Sequence, residues 1–318
     1  MKKAVLLGNG ARKGVLEGVK KLRPEIEHLV DIVAADFADE KNLSDIDADV
    51  AIVFGGDGSI LRAVHQLGEN QIPILAVNLG TLGFLASVDP DELVPFLESS
   101  DFDNFVVREQ LLLVCSVWRK NVEKDDVEDF DPVLHHSVYP LEHHHIHPLD
   151  WKGKSDDRHC IGSYLVVNEV CIRGGYPFSV LNIDLAIDGE RVTTFRGDGL
   201  IVATPVGSTA HSLAAGGPIL RNELDAVLVT PLSPQTINFR PVIDSDFRVY
   251  ELFAFNEEVF AVIDGVTRLK VWRDDRVVIS RAPFKFEMIR VPTNKYYCNL
   301  QRKLGWGVDS VTRKPECR

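Results

Sequence analysis

The sequence predicts an α/β domain followed by a mostly β domain. In the first hundred residues, short apolar runs alternate with stretches of helical spacing, which is typical of a parallel sheet flanked by helices. From Leu111 onwards the chain consists of β-branched runs separated by turn signals, with little helical periodicity. The segment 296–304 again has helical spacing and ends at Gly305, so we expect a closing helix that returns to the first domain.

The predicted elements of the first domain repeat a strand, turn and helix order, which makes this half of the chain Rossmann-like. Each apolar run has the length of a buried strand, and the apolar residues between Ile60 and Leu67 fall on one face of a helix. We predict strands at 4–7, 30–34, 50–54 and 73–77, and helices over 14–22 and from 60 to 67.

The second domain is predicted to contain many strands and hairpin turns. Asp-Gly pairs at 188–189 and 264–265 stand where two-residue hairpin turns are expected. We predict strands at 111–118, 164–172, 180–187, 191–195, 200–204, 226–230, 260–263, 269–272, 277–280 and 286–291.

The domain boundaries follow from these elements. We place the α/β domain at residues 1–107 plus 293–318, and the mostly β domain, of β-sandwich type, at residues 108–292. Residues from about 121 to 159 fit neither domain, because an acidic run is followed by closely spaced histidines among prolines. We interpret this stretch as a His-rich inserted loop.

Composition excludes several classes of protein. At 318 residues the chain exceeds the size at which one hydrophobic core usually keeps growing, which supports two domains. Its net charge of -12 argues against general binding of nucleic acid or anionic membranes, which attract clustered lysines and arginines. No apolar run is long enough to cross a bilayer, and the first one is too short for a signal peptide, so we expect a cytoplasmic protein.

The strongest chemical signal is the sequence from Gly55 to Ser59 (GGDGS), which follows a buried strand and precedes an amphipathic helix. Glycines let backbone amides approach phosphate oxygens, and a helix N-terminus favours negative charge, so this turn predicts phosphate binding. Asp57 at its centre fits a carboxylate that takes a proton from an attacking hydroxyl in phosphoryl transfer. The same residue equally fits a carboxylate that caps the following helix.

Two further segments carry polar residues where strands are expected. Residues 197–218 (GDGLIVATPVGSTAHSLAAGGP) combine glycines with many hydroxyl groups, which suits a flat ligand. A tight crossing of a strand between sheets would explain these glycines alone. Asn168 and Glu169 interrupt the apolar run 164–172 and need polar partners, because unpaired burial is costly. Ribose hydroxyls fit this need, and a β-bulge paired inside the protein is the alternative.

In this order, the GGDGS turn, the Asn-Glu pair and the segment 197–218 resemble the NAD kinase family, which also has a late Asp-Gly turn. The resemblance covers nearly the whole chain outside the insert, whereas lipid kinases and 6-phosphofructokinases share only the glycine-aspartate turn. It implies a kinase that uses ATP to phosphorylate the 2′-hydroxyl of the adenosine ribose of NAD, giving NADP. It also implies Asp57 as general base, a divalent cation such as Mg2+ held by phosphate oxygens, and a homodimer or homotetramer.

The resemblance assigns binding roles residue by residue. Gly56 and Gly58 would help to hold the ligand, and Arg62 would lie near phosphate. Phe84 would pack near the dinucleotide, although core packing explains this residue nearly as well. The residues that the resemblance assigns to the ribose and nucleoside are Asn168, Glu169, Asp198, Thr209, Ala210, His211 and Ser212.

Some positions depart from the family pattern. Ser59 stands for the usual Thr and keeps its hydroxyl. His211 stands for Tyr, Gln235 for His and Val266 for Gln, which changes individual ligand contacts rather than the reaction. Two other functions compete with a kinase: a dinucleotide-binding or redox-sensing protein without turnover, and a metal-buffering protein based on the histidines at 135–159.

Overall fold

The computed structural model describes residues 1–79, 83–85, 88–120, 158–175, 180–256, 258–292 and 296–305. The chain divides into two compact units, Met1–Glu109 with Phe286–Arg318, and Gln110–Lys285. Residues 121–157, most of the predicted insert, lie outside the described residues. Among the helices that the structure describes, none has the length and apolar character needed to cross a membrane.

The elements are numbered in chain order. The strands in the described part of the chain are β1 Lys3–Gly8, β2 Asp31–Asp36, β3 Val50–Phe54, β4 Ile74–Val77, β5 Val107–Gln110, β6 Leu113–Arg119, β7 His159–Val166, β8 Glu169–Gly174, β9 Leu181–Ile187, β10 Glu190–Gly197, β11 Gly199–Ala203, β12 Ala226–Leu232, β13 Val242–Ser245, β14 Tyr250–Ala254, β15 Val259–Ile263, β16 Thr267–Val271, β17 Arg276–Arg281 and β18 Phe286–Ile289. The helices there are α1 Val15–Ile26, α2 Asp57–Leu67, α3 Pro90–Leu97, α4 Ser100–Asp103, α5 His211–Ala214 and α6 Tyr296–Leu304, with a 3-10 turn at Gly207–Thr209.

The first unit contains a sheet of strand order β2-β1-β3-β4-β18-β5. The strands β2, β1, β3, β4 and β18 pair in parallel, and the central strands β3 and β4 are buried on both faces, as expected for their apolar runs. Val53 and the other residues of β3 are buried, and α1 directs Val15, Val19, Leu22 and Ile26 into the same core. The α/β class predicted for this part of the chain is confirmed, as is the closing helix α6.

One predicted strand belongs to a different sheet from the one expected. We assigned residues 286–291 to the second domain, but β18 pairs in parallel with β4, with Met288 opposite Ile74. The chain therefore joins the first unit at Phe286 and not at residue 293. A short apolar run carries no information about which of two sheets it will enter, so the sequence pattern could not place it.

The second unit contains two sheets, ordered β10-β9-β14-β17-β6-β7 and β13-β12-β11-β8-β15-β16. One hydrophobic core takes side chains from both sheets, for example Val117 from the first and Ile172 from the second. This is the β-sandwich that the sequence predicts. The two Asp-Gly turns are also confirmed, because Asp188 and Asp264 have φ values of 52° and 51° and each precedes a glycine with positive φ.

The apolar run 164–172 is two strands and not one. β7 ends at Val166 and β8 begins at Glu169, and the two strands lie in different sheets of the sandwich. Asn168 therefore lies where the chain crosses between the sheets. Because both strands are buried and no glycine or proline marks the crossing, the sequence shows one continuous apolar run.

A buried ion pair stabilises the second unit. The guanidinium of Arg119 donates two hydrogen bonds of 2.8 Å to the carboxylate of Asp275, and the side chains are 5% and 1% exposed. The same guanidinium lies 3.6 Å from the centroid of the Trp272 ring. Removing one partner of such a pair leaves a buried charge without compensation.

We predict that Asp275→Asn lowers the free energy of unfolding by about 3 to 5 kcal/mol, because Arg119 keeps its charge and loses its carboxylate. Asp274→Asn is the matched control, since its side chain is exposed and next in sequence. Urea denaturation followed by circular dichroism measures both variants. Equal losses in the two variants would contradict the prediction.

Candidate active site

The GGDGS turn joins the buried strand β3 to the helix α2. Gly55 has a φ of 140°, and a Cβ at this position would lie 2.2 Å from Oγ of Ser59. Gly56 forms the N-cap of α2 in an extended conformation, and Asp57 is the first residue of the helix. Glycine is therefore required at Gly55, and the turn places Asp57 at the positive end of the helix dipole.

The Asp57 carboxylate accepts hydrogen bonds from another segment of the first unit. Backbone N–H groups of Phe84 and Leu85 donate to Oδ2 and Oδ1 at 2.9 and 3.0 Å. The N-cap position of α2 belongs to Gly56, so Asp57 does not act as the N-cap residue that the sequence left open as an alternative. These two bonds fix the direction of the carboxylate, whose side chain remains 30% exposed.

Lys303 contacts Asp57, a contact that the sequence did not predict. Its Nζ lies 3.3 Å from Oδ2 of Asp57 and 3.9 Å from the centroid of the half-buried Phe84 ring. The available signal was the pair of cations in the last turn of the closing helix α6. Lys303 thus links the C-terminal helix to the GGDGS turn.

Arg62 is paired with an aspartate in this structure. Its Nη1 donates to Oδ2 of buried Asp39 at 3.1 Å. The loop that carries Asp39 is ordered by Asp36, whose carboxylate accepts backbone N–H bonds from residues 38–41. Burial acts to raise the pKa of Asp36, but these bonds, with that from Lys41 the largest, outweigh it and hold the pKa below its usual value.

In the second unit, Asn168 lies against the segment 204–207. Oγ1 of Thr204 donates to the Val167 carbonyl at 2.7 Å, and the Thr204 N–H donates to the Asn168 carbonyl at 2.9 Å. A Cβ at Gly207 would lie 2.0 Å from the backbone carbonyl oxygen of Asn168, so this position requires glycine. The Asn168–Glu169 pair and the segment 197–218, which the sequence suggested as two separate features, are therefore packed and hydrogen-bonded together.

Glu169 faces a cavity of about 440 Å³, which is also lined by Arg173, His211, Phe260 and Arg268. The residue is 5% exposed, and its Oε2 has no hydrogen-bond partner among the described residues. Burial raises the pKa of Glu169 to about 8; the nearby charge of Asp264 adds to this, and a backbone N–H bond from His211 opposes it. The raised pKa favours the protonated form of Glu169 at neutral pH.

His211 begins α5 and lines the same cavity as Glu169. Burial lowers the pKa of His211, and the charge of Arg173 lowers it further. Strand alternation places Arg173 on the same face of β8 as Glu169, a signal that the sequence analysis did not use. Phe260 and Arg268 come from strands that are distant in sequence and also escaped prediction.

The other residues predicted for the nucleoside lie in different surroundings. Ser212 is fully buried, and its hydroxyl forms a 2.8 Å hydrogen bond with that of Thr230. Thr209 uses its hydroxyl within the 3-10 turn, where Oγ1 donates to the Val206 carbonyl at 3.1 Å, and Ala210 follows it half-buried. Asp198 is exposed at the point where the chain crosses from β10 to β11, the tight crossing that we gave as an alternative.

Comparison with known proteins identifies the family of the chain. The model of the ATP-NAD kinase N-terminal domain matches residues 16–99, and that of the ATP-NAD kinase C-terminal domain matches residues 167–291. An NAD kinase of Rhodopirellula baltica is 40% identical over 95% of this chain and 86% of its own length. One from a Geobacter species is 36% identical over 82% of this chain and 79% of its own. The chain belongs to the NAD kinase family.

Solved structures of the family share this fold. A yeast NADH kinase complexed with NADH has a TM-score of 0.75 at 22% identity and covers 98% of this chain and 90% of its own. An Archaeoglobus fulgidus NAD kinase in complex with ATP has a TM-score of 0.64 at 22% identity, covering 95% and 97%. The fold class predicted from the sequence is therefore that of NAD kinases.

The departures from the NAD kinase pattern occupy distinct positions. Ser59 keeps a buried hydroxyl, and its Oγ has no hydrogen-bond partner in the described part of the chain. Gln235 and Val266 are exposed. His211 is the departure that lines the cavity, so a ring that can be charged replaces a phenol there.

We predict that Glu169→Gln removes a pH dependence of stability. Because the folded pKa is raised, the folded protein keeps a proton that the unfolded chain loses, so wild-type stability falls from about pH 4.5 to about pH 8. Above that window both states are ionised and the loss stops. As the pH rises through this window, the free energy of unfolding of Glu169→Gln should therefore increase relative to that of the wild type.

Urea denaturation between pH 4.5 and pH 9 measures this difference. Glu258→Gln, which changes an exposed glutamate of the same unit, is the matched control and should run parallel to the wild type. A constant difference between Glu169→Gln and wild type over this range would contradict the assigned protonation of Glu169.

Proposed function

We propose that this member of the NAD kinase family transfers the γ-phosphoryl group of ATP to the 2′-hydroxyl of the adenosine ribose of NAD, with Asp57 as general base. The observation that carries the assignment of Asp57 is its geometry. It stands at the first position of a helix after a glycine turn, with both oxygens directed by the Phe84 and Leu85 amides and part of the side chain open to solvent.

The chemistry is an in-line displacement at phosphorus. The 2′-oxygen forms a bond to the γ-phosphorus while the bond from that phosphorus to the β,γ-bridging oxygen breaks, so that ADP leaves. The hydroxyl proton moves to Asp57 and is later released to water. The two amide bonds and the Lys303 contact still leave the carboxylate a lone pair for this proton, since an ionised carboxylate offers about four acceptor sites.

Phosphate binding is proposed for the glycines and for Arg62. The first N–H groups of a helix lack acceptors within the helix, so those at Gly56 and Gly58 suit phosphate oxygens. A guanidinium has about five N–H donors, and the Asp39 contact is made through Nη1 of Arg62, so a phosphate oxygen can use the others. Phe84 would pack against the dinucleotide through the exposed part of its side chain.

Dinucleotide recognition is proposed for the second unit. Glu169 and Asn168 would bind ribose hydroxyls, because protonated Glu169 can both donate and accept, lines the cavity and has one oxygen without a hydrogen-bond partner among the described residues. His211 would contact the nucleoside beside Thr209 and Ala210. For Asp198 and Ser212, the proposed nucleoside contacts rest on the family resemblance alone.

A divalent cation suits this site if the nucleotide supplies most of its ligands. Within the described ranges, no group of three or more His, Cys, Asp or Glu side chains could hold a metal ion. Mg2+ commonly keeps substrate phosphates among its ligands, so the phosphate oxygens of ATP would hold the ion and leave Asp57 to take the proton. When bound, the cation would neutralise charge on the transferring phosphoryl group.

The direct test is incubation with NAD, ATP and Mg2+, in which an NADP-specific dehydrogenase detects NADP. Parallel reactions with NADH and with polyphosphate identify the preferred acceptor and donor. Binding of NAD without NADP formation would favour the dinucleotide-binding protein without turnover. Of the histidines behind the metal-buffering hypothesis, those at 135–147 lie outside the described residues. Light scattering tests the proposed homodimer or homotetramer.

We predict that Asp57→Asn lowers kcat by about 10²- to 10⁴-fold, because an amide cannot take the proton. NAD affinity, measured by calorimetry, should change far less. Asp91→Asn is the matched control, since Asp91 is an exposed acid in the first turn of α3 in the same unit. If Asp57→Asn retained near-normal turnover, Asp57 would be a structural acceptor of amide bonds and not the base.

A further inference from the structure

The turn formed by residues 167–169 is held on its N–H side by one carboxylate. Oδ2 of Asp264 accepts the N–H of Val167 at 3.0 Å. Oδ1 accepts the N–H groups of Asn168 and Glu169 at 2.7 and 3.1 Å. The backbone of Asp264 completes the contact, because its own N–H donates to the Glu169 carbonyl at 2.9 Å.

Together with Thr204, Asp264 satisfies every backbone polar group of this turn. Thr204 binds the carbonyls of Val167 and Asn168, and Asp264 binds the remaining carbonyl and all three N–H groups. A buried turn without such partners would be strongly disfavoured. The side chain of Asp264, with Thr204, therefore holds the backbone conformation that places Glu169 in the lining of the cavity.

We propose, building on the function proposed above, that Asp264 is a positioning residue for NAD recognition that acts through the Asn168–Glu169 turn. An asparagine could not replace it, because one amide oxygen cannot reproduce three accepted bonds and the NH2 group would face the Val167 N–H. The Asp264-Gly265 hairpin thus has a second role besides reversing the chain.

Asp264 also sets the electrostatic environment of Glu169. Burial is the main cause of the raised pKa of Glu169, and the Asp264 charge is the second. The other ionisable groups that line the cavity with Glu169 are His211 at the start of α5, Cys171 and Arg173 on β8, and Arg268 on β16. Loss of the Asp264 charge should lower the pKa of Glu169 and leave these groups in place.

The test compares Asp264→Asn with Asp188→Asn. Asp188 occupies the same position in the other Asp-Gly turn, and its carboxylate accepts the Val249 N–H at 2.9 Å and pairs with Arg248 at the surface. We expect Asp264→Asn to raise the KM for NAD and the Kd of NAD at least 10-fold, with kcat and the KM for ATP changed less than about three-fold. Asp188→Asn should stay within about two-fold of the wild type on every measure.

The pH profile separates positioning from a general loss of structure. The KM for NAD of the wild type should inflect near pH 8, where Glu169 ionises, and this inflection should move to lower pH in Asp264→Asn. The double variant Asp264→Asn with Glu169→Gln should show no such inflection. A folded Asp264→Asn protein with wild-type KM, Kd and inflection would overturn the proposal.

Two further measurements keep the test decisive. If Asp264→Asn does not fold, Asp264→Glu keeps the charge but moves the oxygens, and a raised Kd for NAD in the folded variant supports the proposal while a wild-type Kd overturns it. Calorimetric binding of NAD does not depend on turnover. If the wild type binds NAD but forms no NADP, the proposed function fails, and the effect of Asp264 on NAD binding still decides the role of Asp264.

Discussion

The backbone of residues 167–169 must cross between the two sheets of the sandwich inside the protein, and the polar chemistry of the second unit depends on this crossing. Val167 and Asn168 lie between β7 and β8 and outside both strands, so their N–H and C=O groups need other partners. Thr204 supplies them on one side and Asp264 on the other. Asp264, about a hundred residues from the turn in sequence, is thereby needed to satisfy its backbone groups. The turn itself places Glu169 in the lining of the cavity.

In the first unit, too, carboxylates that accept backbone N–H bonds hold segments of the chain in place. Asp36 accepts four backbone N–H bonds and orders the loop that brings Asp39 to Arg62. Asp57 accepts two and is thereby held in one direction at the start of α2. A carboxylate bonded to fixed amides loses little freedom when a substrate arrives, which favours a group that must be in place before the reaction. Lys303 adds a cation beside Asp57 from the closing helix.

Local patterns predicted much of the fold and less of the site. The five apolar residues of β3 and the two Asp-Gly turns have signatures contained in a few neighbouring residues, and the structure confirms them. The crossing at Asn168 and the membership of β18 were wrong because each depends on which sheet a buried strand joins, a long-range property. The contacts of Lys303, Thr204 and Asp264 escaped for the same reason, because their partners are distant in sequence. Thr204 and Asp264 lie in segments that the sequence did single out, but those local patterns do not name the partners.

Glu169 is costly for the stability of the free protein. Its carboxyl group is buried with one oxygen lacking a hydrogen-bond partner among the described residues, and the nearby negative charge of Asp264 opposes its ionisation. The cost cannot be relieved by removing Asp264, because that carboxylate also holds the turn from which Glu169 projects. Asp264 therefore orders the backbone of the turn and also adds, after burial, to the cost of ionising Glu169. A polar group that is well positioned but incompletely bonded, next to an open cavity, is what a site for a hydroxyl-bearing ligand requires.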